Sequence, residues 1–414
     1  MKRIKATILN NTAVIENYFF MTVLQILNSL FYLLIYPFLI RTLGAESYGL
    51  YIFAFSISVF FVSLVQFGFD TPALKEISQY PKNRALHAEI ISKVFISKLV
   101  LFLLAIVIFV PLLFFVNIFR ENVWLFLICF SQIISNILLP TWYFQGIQKM
   151  KIVTYIQLSL KIASLPLIFL LIKYPSDIVT FAAITISTGI IGGVVAMFIL
   201  RYKNSIKMSW VSIAIIKSGF KDAMPFFLSS SMNTVKQQAT SVLIGSFFTM
   251  SDVALYDLAN KIFTIPATLT ASINGALFPK LIFNTNKNAI RKILKYETII
   301  GIGIIVFFLF FGKLAILFLG GVTMYGAYPI LIILGFNILT PLLVSSYCSF
   351  IFVPNRLYSL IAKNQFVAFS VFFLVSTIGL FTNRDILVIP IAMLISGISE
   401  IIYCNVQIKN LKLL

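Results

Sequence analysis

The sequence predicts an all-α integral membrane protein of twelve transmembrane helices in two six-helix lobes, on three observations. Hydrophobic residues make up 60% of the 414-residue chain and charged residues only 11%, where a soluble domain carries roughly 25% charged. Apolar runs of roughly 20 residues, the length that crosses a bilayer, recur from end to end. The pattern of the first half also returns in the second.

Residues 1–17 are polar and basic, and the first apolar run, 18–40, is too long for the core of a cleaved signal peptide. That run is span one, followed by span two at 49–70. Lys75, Lys82, Arg84, Lys93 and Lys98 mark the turn into span three, 94–117, and span four follows at 122–143. Lys149, Lys151 and Lys161 accompany the entry to span five, 152–172, and span six is 178–200. A basic linker with Arg201, Lys203, Lys207, Lys217 and Lys221 leads to spans seven, 223–248, and eight, 252–279. Lys280, Lys287, Arg291, Lys292 and Lys295 precede span nine, 296–319; span ten is 326–353. Arg356 and Lys363 introduce span eleven, 357–381, and Lys409 and Lys412 follow span twelve, 386–408.

All these basic residues fall on the side of Lys2, Arg3 and Lys5, whereas Arg41, Arg120, Lys173, Lys313 and Arg384 fall on the other. The positive-inside rule therefore places both termini in the cytoplasm. The net charge of +19 is accounted for by topology and attraction to anionic membrane lipids, with no nucleic-acid partner required. Cys129, Cys348 and Cys404 lack paired spacing and read as reduced packing residues. His87, in the loop after span two, reads as a solvated imidazole. No phosphate loop, nucleophile turn or metal motif is present, so neither an enzyme nor a cofactor is expected.

Laying Asn28 on Asn233 also superimposes Leu50 on Leu255, Tyr51 on Tyr256, Ala54 on Ala259, Ile57 on Ile262 and Lys75 on Lys280. Six spans per half is even, so the repeat is parallel and two lobes are expected to face each other across a central cationic cavity. The lobes are 1–205 and 223–414, joined by the basic linker 206–222 with its short amphipathic segment beginning at Trp210.

Polar residues inside the spans are then the candidates for that cavity. In span seven Ser229, Asn233, Lys236 and Thr240 share one helical face, with Gln237 adjoining. Span one carries Thr22, Gln25, Ser29, Tyr32 and Tyr36, with Asn28 beside them. Span eight adds Asp257, Lys261, Thr264, Thr268 and Ser272. The uncharged members also suit plain helix–helix contacts, and Asp257, four residues before Lys261, is placed to neutralise it. Lys236 has no acid within a turn of its own helix, and a lysine at a helix centre costs about 2.5–3.5 kcal/mol on insertion scales. It is the leading candidate for an anion-binding group.

Four segments carry a family resemblance. They are Ile40-Arg-Thr-Leu-Gly-Ala-Glu-Ser-Tyr-Gly-Leu-Tyr51, Phe67-Gly-Phe-Asp70, Pro140-Thr-Trp-Tyr-Phe-Gln-Gly-Ile-Gln-Lys-Met-Lys151, and Ala254-Leu-Tyr-Asp-Leu-Ala-Asn-Lys-Ile262 with Leu277-Phe-Pro279. With these the chain resembles, over essentially its whole length, the polysaccharide repeat-unit or O-antigen flippases. Those belong to the multidrug/oligosaccharidyl-lipid/polysaccharide exporter superfamily, whose fold is MATE-like. The chain departs from that pattern at Lys75, where the family often has arginine, and at Asn260, where it often has glutamate.

The resemblance implies export of an undecaprenyl-diphosphate-linked oligosaccharide, for O-antigen of lipopolysaccharide or a similar surface glycan, across the bacterial inner membrane. In that reading Lys236 and Lys261 attract the diphosphate, and Asn28, Asn233, Gln25, Gln237 and Thr240 contact sugar or water. Asp257 is the candidate for coupling to a proton or sodium gradient, and other polysaccharide assembly proteins are possible partners. In-span Pro37, Pro225, Pro266, Pro341 and Pro390 are candidate bend points. A cation-coupled multidrug exporter of the same superfamily, a multi-span polymerase or ligase, and a non-transporting scaffold stay open as alternatives. The exporter would want cavity acids, and by this reading only Asp257 lies well inside a span.

Overall fold

The computed structural model describes the backbone of residues 2–281 and 287–414, and the side chains of residues 16–17, 19–270 and 287–414. Ser272, Lys280 and the Leu277-Phe-Pro279 side chains lie outside the described residues. Among those described there is no β-strand. The helices in chain order are α1 Lys2–Gln66, α2 Asp70–Gln79, α3 Arg84–Phe115, α4 Asn117–Glu121, α5 Val123–Phe130, α6 Gln132–Leu138, α7 Thr141–Gly146 and α8 Met150–Leu171. They continue with α9 Ile178–Tyr202, α10 Ile213–Phe247, α11 Met250–Leu281, α12 Lys287–Gly320, α13 Ala327–Phe336, α14 Leu339–Ser346, α15 Tyr358–Thr382 and α16 Val388–Asn410. A π-helical turn, Tyr347–Phe352, prolongs α14.

Among the described residues, nine helical stretches are long and apolar enough to cross a membrane. The first, Phe19–Gln66, has 48 residues and covers both spans one and two. It is broken at Gly44, whose φ of 76° and ψ of 164° interrupt the helix; that backbone region is open essentially to glycine alone. Spans seven and eight are helical as α10 and α11 but are not among the nine; polar residues dilute the apolar content of α10, and the last part of α11 lies outside the described side chains. The outward faces of the apolar helices carry exposed large side chains, such as Leu103 and Val107 on α3 and Phe310 and Phe318 on α12. A face of that kind is stable when lipid is the solvent.

The chain divides into two compact units. The first comprises Met1–Phe31 and Ala54–Thr234, the second Tyr32–Phe53 and Val235–Leu414. In the first, Phe109 of α3 stacks on Phe130 of α5 at 4.0 Å, with Phe61 of α1 edge-on to both. Asn83 caps α3 by accepting the Leu86 backbone N–H at 3.1 Å, which satisfies one free helix donor. At the turn after α1, Phe67 stacks on Phe227 of α10 at 4.3 Å.

In the second unit, α15 and α16 pair antiparallel, and buried Ser396 donates to the Ala368 carbonyl at 2.8 Å. The second helix of α1 presses against the start of α11. A Cβ on Gly49 would stand 1.7 Å from the Met250 carbonyl oxygen, so the approach is possible only without a side chain.

This contact yields a direct test. Gly49→Ala is expected to lower stability by about 3 kcal/mol, since overpacking against backbone cannot relax by a rotamer change. Gly303, with nothing within 4 Å of a built Cβ, serves as the control. Thermal unfolding of the purified variants should show a lowered transition for Gly49→Ala and an unchanged or slightly raised one for Gly303→Ala.

Candidate functional site

In the second unit the i,i+4 spacing on α11 turns Asp257 and Lys261 to the same face, and they form an ion pair. Tyr48 completes it. Its hydroxyl donates to Asp257 Oδ2 at 3.0 Å and accepts from Lys261 Nζ at 2.9 Å. The rings of Tyr32, Tyr36 and Tyr48 surround the ammonium at 5.4, 5.5 and 5.5 Å. Tyr36 in turn donates to the Ala254 carbonyl at 3.3 Å, which fixes α1 against α11. The result is a lysine held by one carboxylate, one hydroxyl and three aromatic faces.

Lys236 is also paired, by a residue that sequence reasoning missed. Its Nζ donates to Glu400 Oε1 of α16 at 2.6 Å, with side-chain exposures of only 9% and 6%. The count that left Asp257 as the sole acid well inside a span is therefore corrected: Glu400 lies within α16. Glu297 of α12 is buried as well and accepts the Ser346 hydroxyl at 2.7 Å. A carboxylate in the middle of an apolar run was the available signal for Glu400, but nothing in the sequence pointed to its partner.

Burial varies along the polar stripe of α10. Lys236 and Thr240 are buried, with Thr240 donating to the Gln237 carbonyl at 2.6 Å, whereas Asn233 and Gln237 are exposed. Of the predicted site residues, Gln25, Asn28 and Asn233 belong to the first unit; Lys236, Gln237, Thr240, Asp257 and Lys261 belong to the second. Within the second unit, Asp257 and Lys261 come together as an ion pair.

His87 of the first unit needs correction, and two lysines of that unit have partners within the fold. Lys98, assigned from sequence to the cytoplasmic side, is buried in α3 and donates to Asp70 at 2.7 Å. Asp70 ends the Phe67-Gly-Phe-Asp70 segment, which thereby has a structural role. His87, expected to be solvated, is 2% exposed; its Nε2 donates to the Tyr80 carbonyl at 2.9 Å and its ring meets Tyr143 edge-on. Tyr143, from the Trp-Tyr-Phe segment, accepts from Asn204 at 3.1 Å. Lys161, also counted as cytoplasmic, sits well inside α8, roughly 16 Å along the axis from its first residue. Its ammonium lies 5.1 Å over the ring of Phe31.

The three cysteines are free thiols. Among the described residues no cluster of three or more His, Cys, Asp or Glu side chains could hold a metal ion.

Residues 14–283 match the family model described as polysaccharide biosynthesis protein. The chain belongs to this family. Two curated relatives, each described as a putative O-antigen transporter, are similar to it. The one from Escherichia coli (strain K12) is 25% identical over 275 residues, covering 66% of each chain. The one from Shigella dysenteriae is 27% identical over 256 residues, covering 61% of this chain and 64% of the relative. The chain thus spans just under two thirds of the length of these relatives.

Among solved structures, the lipid II flippase MurJ in an inward closed conformation superimposes with a TM-score of 0.69. It shares 16% identity over 97% of this chain and 87% of that one. An outward-facing multidrug resistance MATE family transporter of the MOP superfamily gives 0.57 at 15% identity, over 97% and 96%. At such identities the likeness concerns the fold, and it bears out the expected all-α, MATE-like membrane architecture of this polysaccharide biosynthesis family member.

The buried pair makes a stability prediction. Glu400→Ala leaves a buried ammonium without its carboxylate and should cost about 3–5 kcal/mol. Replacing both partners, Lys236→Met with Glu400→Leu, should recover most of that loss. Chemical or thermal unfolding of the single and double variants in detergent reads the difference; a double variant as unstable as Glu400→Ala would mean that the loss does not come from the stranded ammonium.

Proposed function

We propose that this chain is a flippase for an undecaprenyl-diphosphate-linked oligosaccharide, moving a surface-glycan repeat unit from the cytoplasmic to the outer leaflet of the bacterial inner membrane. In this reading it is a multi-pass transporter with both termini cytoplasmic, not an enzyme, and it works by alternating access. The observation that carries the proposal is the placing of lysine–carboxylate pairs, Lys236 with Glu400 and Lys261 with Asp257, inside the helices of a polysaccharide biosynthesis family member. The names of its relatives, and the flippase activity named for its structural neighbour, point the same way.

The physical problem such a protein solves is desolvation. A sugar–diphosphate head moved into hydrocarbon loses a water partner at every hydroxyl and phosphate oxygen, at several kcal/mol each. Polar groups fixed in the protein replace those partners while the polyprenyl tail stays in lipid. Lys236 and Lys261 meet the diphosphate by exchanging a carboxylate oxygen for a phosphoryl oxygen. Asn28, Asn233, Gln25, Gln237 and Thr240 supply hydrogen bonds to sugar or water. The carboxylate released in that exchange, Asp257 above all, is then free to take up a proton or sodium ion. An inside-negative potential also favours outward movement of an anionic head, by about 2.3 kcal/mol per charge per 100 mV.

A second reading, a cation-coupled exporter, gains one point from the buried carboxylates Glu297 and Glu400. Glu400 is already matched by Lys236, which leaves it less suited to receive a cationic substrate.

The test is surface-glycan production in a strain lacking the gene. Wild type and Lys236→Arg should restore the glycan, and Lys236→Ala at matched membrane levels should not. Undiminished glycan in the deletion strain would reject the assignment.

A further inference from the structure

The first unit holds a cluster of uncharged polar side chains that the sequence pattern did not single out. Gln132 and Asn136 of α6 straddle the midpoint of Val123–Gly146, a 24-residue stretch long and apolar enough to cross a membrane. Close approach to α9 fixes how α6 is turned. A Cβ on Gly189 would stand 2.7 Å from Ser135 Oγ, and one on Gly193 2.6 Å from Leu138 Cβ, so Ser135 and Leu138 face α9. Asn136 faces α1, where Gln66 Nε2 donates to its Oδ1 at 3.1 Å, and Gln132 lies one turn before it on the same face. Ser63, one turn before Gln66, meets Ser231 of α10 with the hydroxyl oxygens 3.4 Å apart, at the long limit of a hydrogen bond. All five residues are half-buried. A polar group left partly open inside a bilayer-length helix faces something other than hydrocarbon, which offers it no partner.

The unused hydrogen-bonding capacity of the cluster defines what it can take. Asn136 is committed at both ends, accepting from Gln66 and donating to the Gln132 carbonyl at 3.1 Å. Among the described residues, Gln132 Oε1 is buried with no hydrogen-bond partner. An amide oxygen only accepts, so its missing partner must bring a hydrogen. An ionised diphosphate has none to give, and a cation would meet no counter-charge among these five side chains. A hydroxyl both donates and accepts; it can give its hydrogen to Gln132 while accepting from a serine. Beside the serines lies an apolar platform. Phe67, one turn after Ser63, stacks on Phe227, one turn before Ser231, with centroids 4.3 Å apart and planes 14° from parallel. Acceptors next to an aromatic face suit a ligand with hydroxyls on its edge and C–H groups on its face, which is the build of a sugar ring.

We propose that Gln132, with Gln66, Asn136, Ser63 and Ser231, forms a saccharide subsite of the first unit that binds hydroxyl groups of the lipid-linked repeat unit. This rests on the flippase reading and adds to it a place where the sugar is recognised independently of the diphosphate. The orphaned oxygen is a cost carried by the empty protein and relieved when a hydroxyl arrives. Because the cluster is uncharged, it discriminates by the positions of hydroxyls.

The experiment measures binding to the purified full chain in lipid nanodiscs with two probes, the lipid-linked repeat unit extracted from the strain lacking the gene and undecaprenyl diphosphate without sugar. Gln132→Met keeps the length of the side chain and removes its oxygen. It should weaken repeat-unit binding by about fivefold, the loss expected for one neutral hydrogen bond, and leave undecaprenyl diphosphate binding unchanged. Its thermal transition should stay level or rise, since the lost oxygen had no partner to strand. Ser63→Ala should show the same selective loss, and it carries the comparison if Gln132→Met does not fold. Equal repeat-unit binding by wild type and these variants would overturn the subsite and leave the flippase reading standing; a lowered thermal transition in that case would assign the Gln132 oxygen to a structural water. An equal loss for both probes would also overturn it, because the effect would not be on the sugar. A wild type that binds neither probe more tightly than neutral undecaprenol would overturn the subsite and the flippase reading together. Binding of the free oligosaccharide, released by mild acid, as tightly as the lipid-linked form would reassign the site to soluble sugar and overturn the lipid-linked proposal.

Discussion

A charged side chain inside a bilayer-length helix is tolerable only where the protein itself replaces the lost water, and that constraint organises this molecule. Lys98 has Asp70, Lys236 has Glu400, Lys261 has Asp257 and Tyr48, and Lys161 has the ring of Phe31. An unmatched lysine at a helix centre costs about 2.5–3.5 kcal/mol even on the lenient insertion scales. The matched pair recovers much of that at the expense of fixing its geometry, because removing either partner strands the other. The helices that carry these residues are consequently held in register by polar contacts as well as by packing. Tyr36 and Tyr48 tie α1 to α11, and Glu400 ties α16 to α10.

Under the proposed flippase function, the same chemistry would prepare the protein for an anionic cargo. An ammonium already desolvated and held by one carboxylate is preorganised to bind a second oxyanion, since the larger part of its desolvation was met on folding. Exchange of carboxylate for phosphate then alters the contacts between helices, which is how a bound head group can bias one conformation over another. Both units hold lysines compensated by acids, Lys98 with Asp70 in the first and Lys236 with Glu400 and Lys261 with Asp257 in the second.

Much of the fold could be read from residue order. Apolar runs located the helices, and Gly44, in the stretch between the first two spans, marks the break in α1. The i,i+4 pair Asp257 and Lys261 was visible because both partners lie on one helix. Glu400 was not, because helical periodicity reports which residues share a face and is silent on which helix covers it; its partner lies at Lys236, far away in sequence. For the same reason helical spacing places Asn233, Lys236 and Thr240 on one face of α10 but is silent on packing, which buries Lys236 and Thr240 and exposes Asn233. Lys98 and Lys161 were read as topology signals because each lies towards the basic end of its span, and that reading could not supply their partners, Asp70 and the ring of Phe31.

The dependence on charge compensation is tested most directly by exchanging the partners. Lys236→Glu and Glu400→Lys are made separately and together, and thermal stability and surface-glycan export are measured for all three. Each single change buries two like charges and should lose both properties, while the exchanged pair should recover most of the stability and part of the export. An exchanged pair no better than either single variant would contradict the view that the buried ion pair holds this part of the protein together.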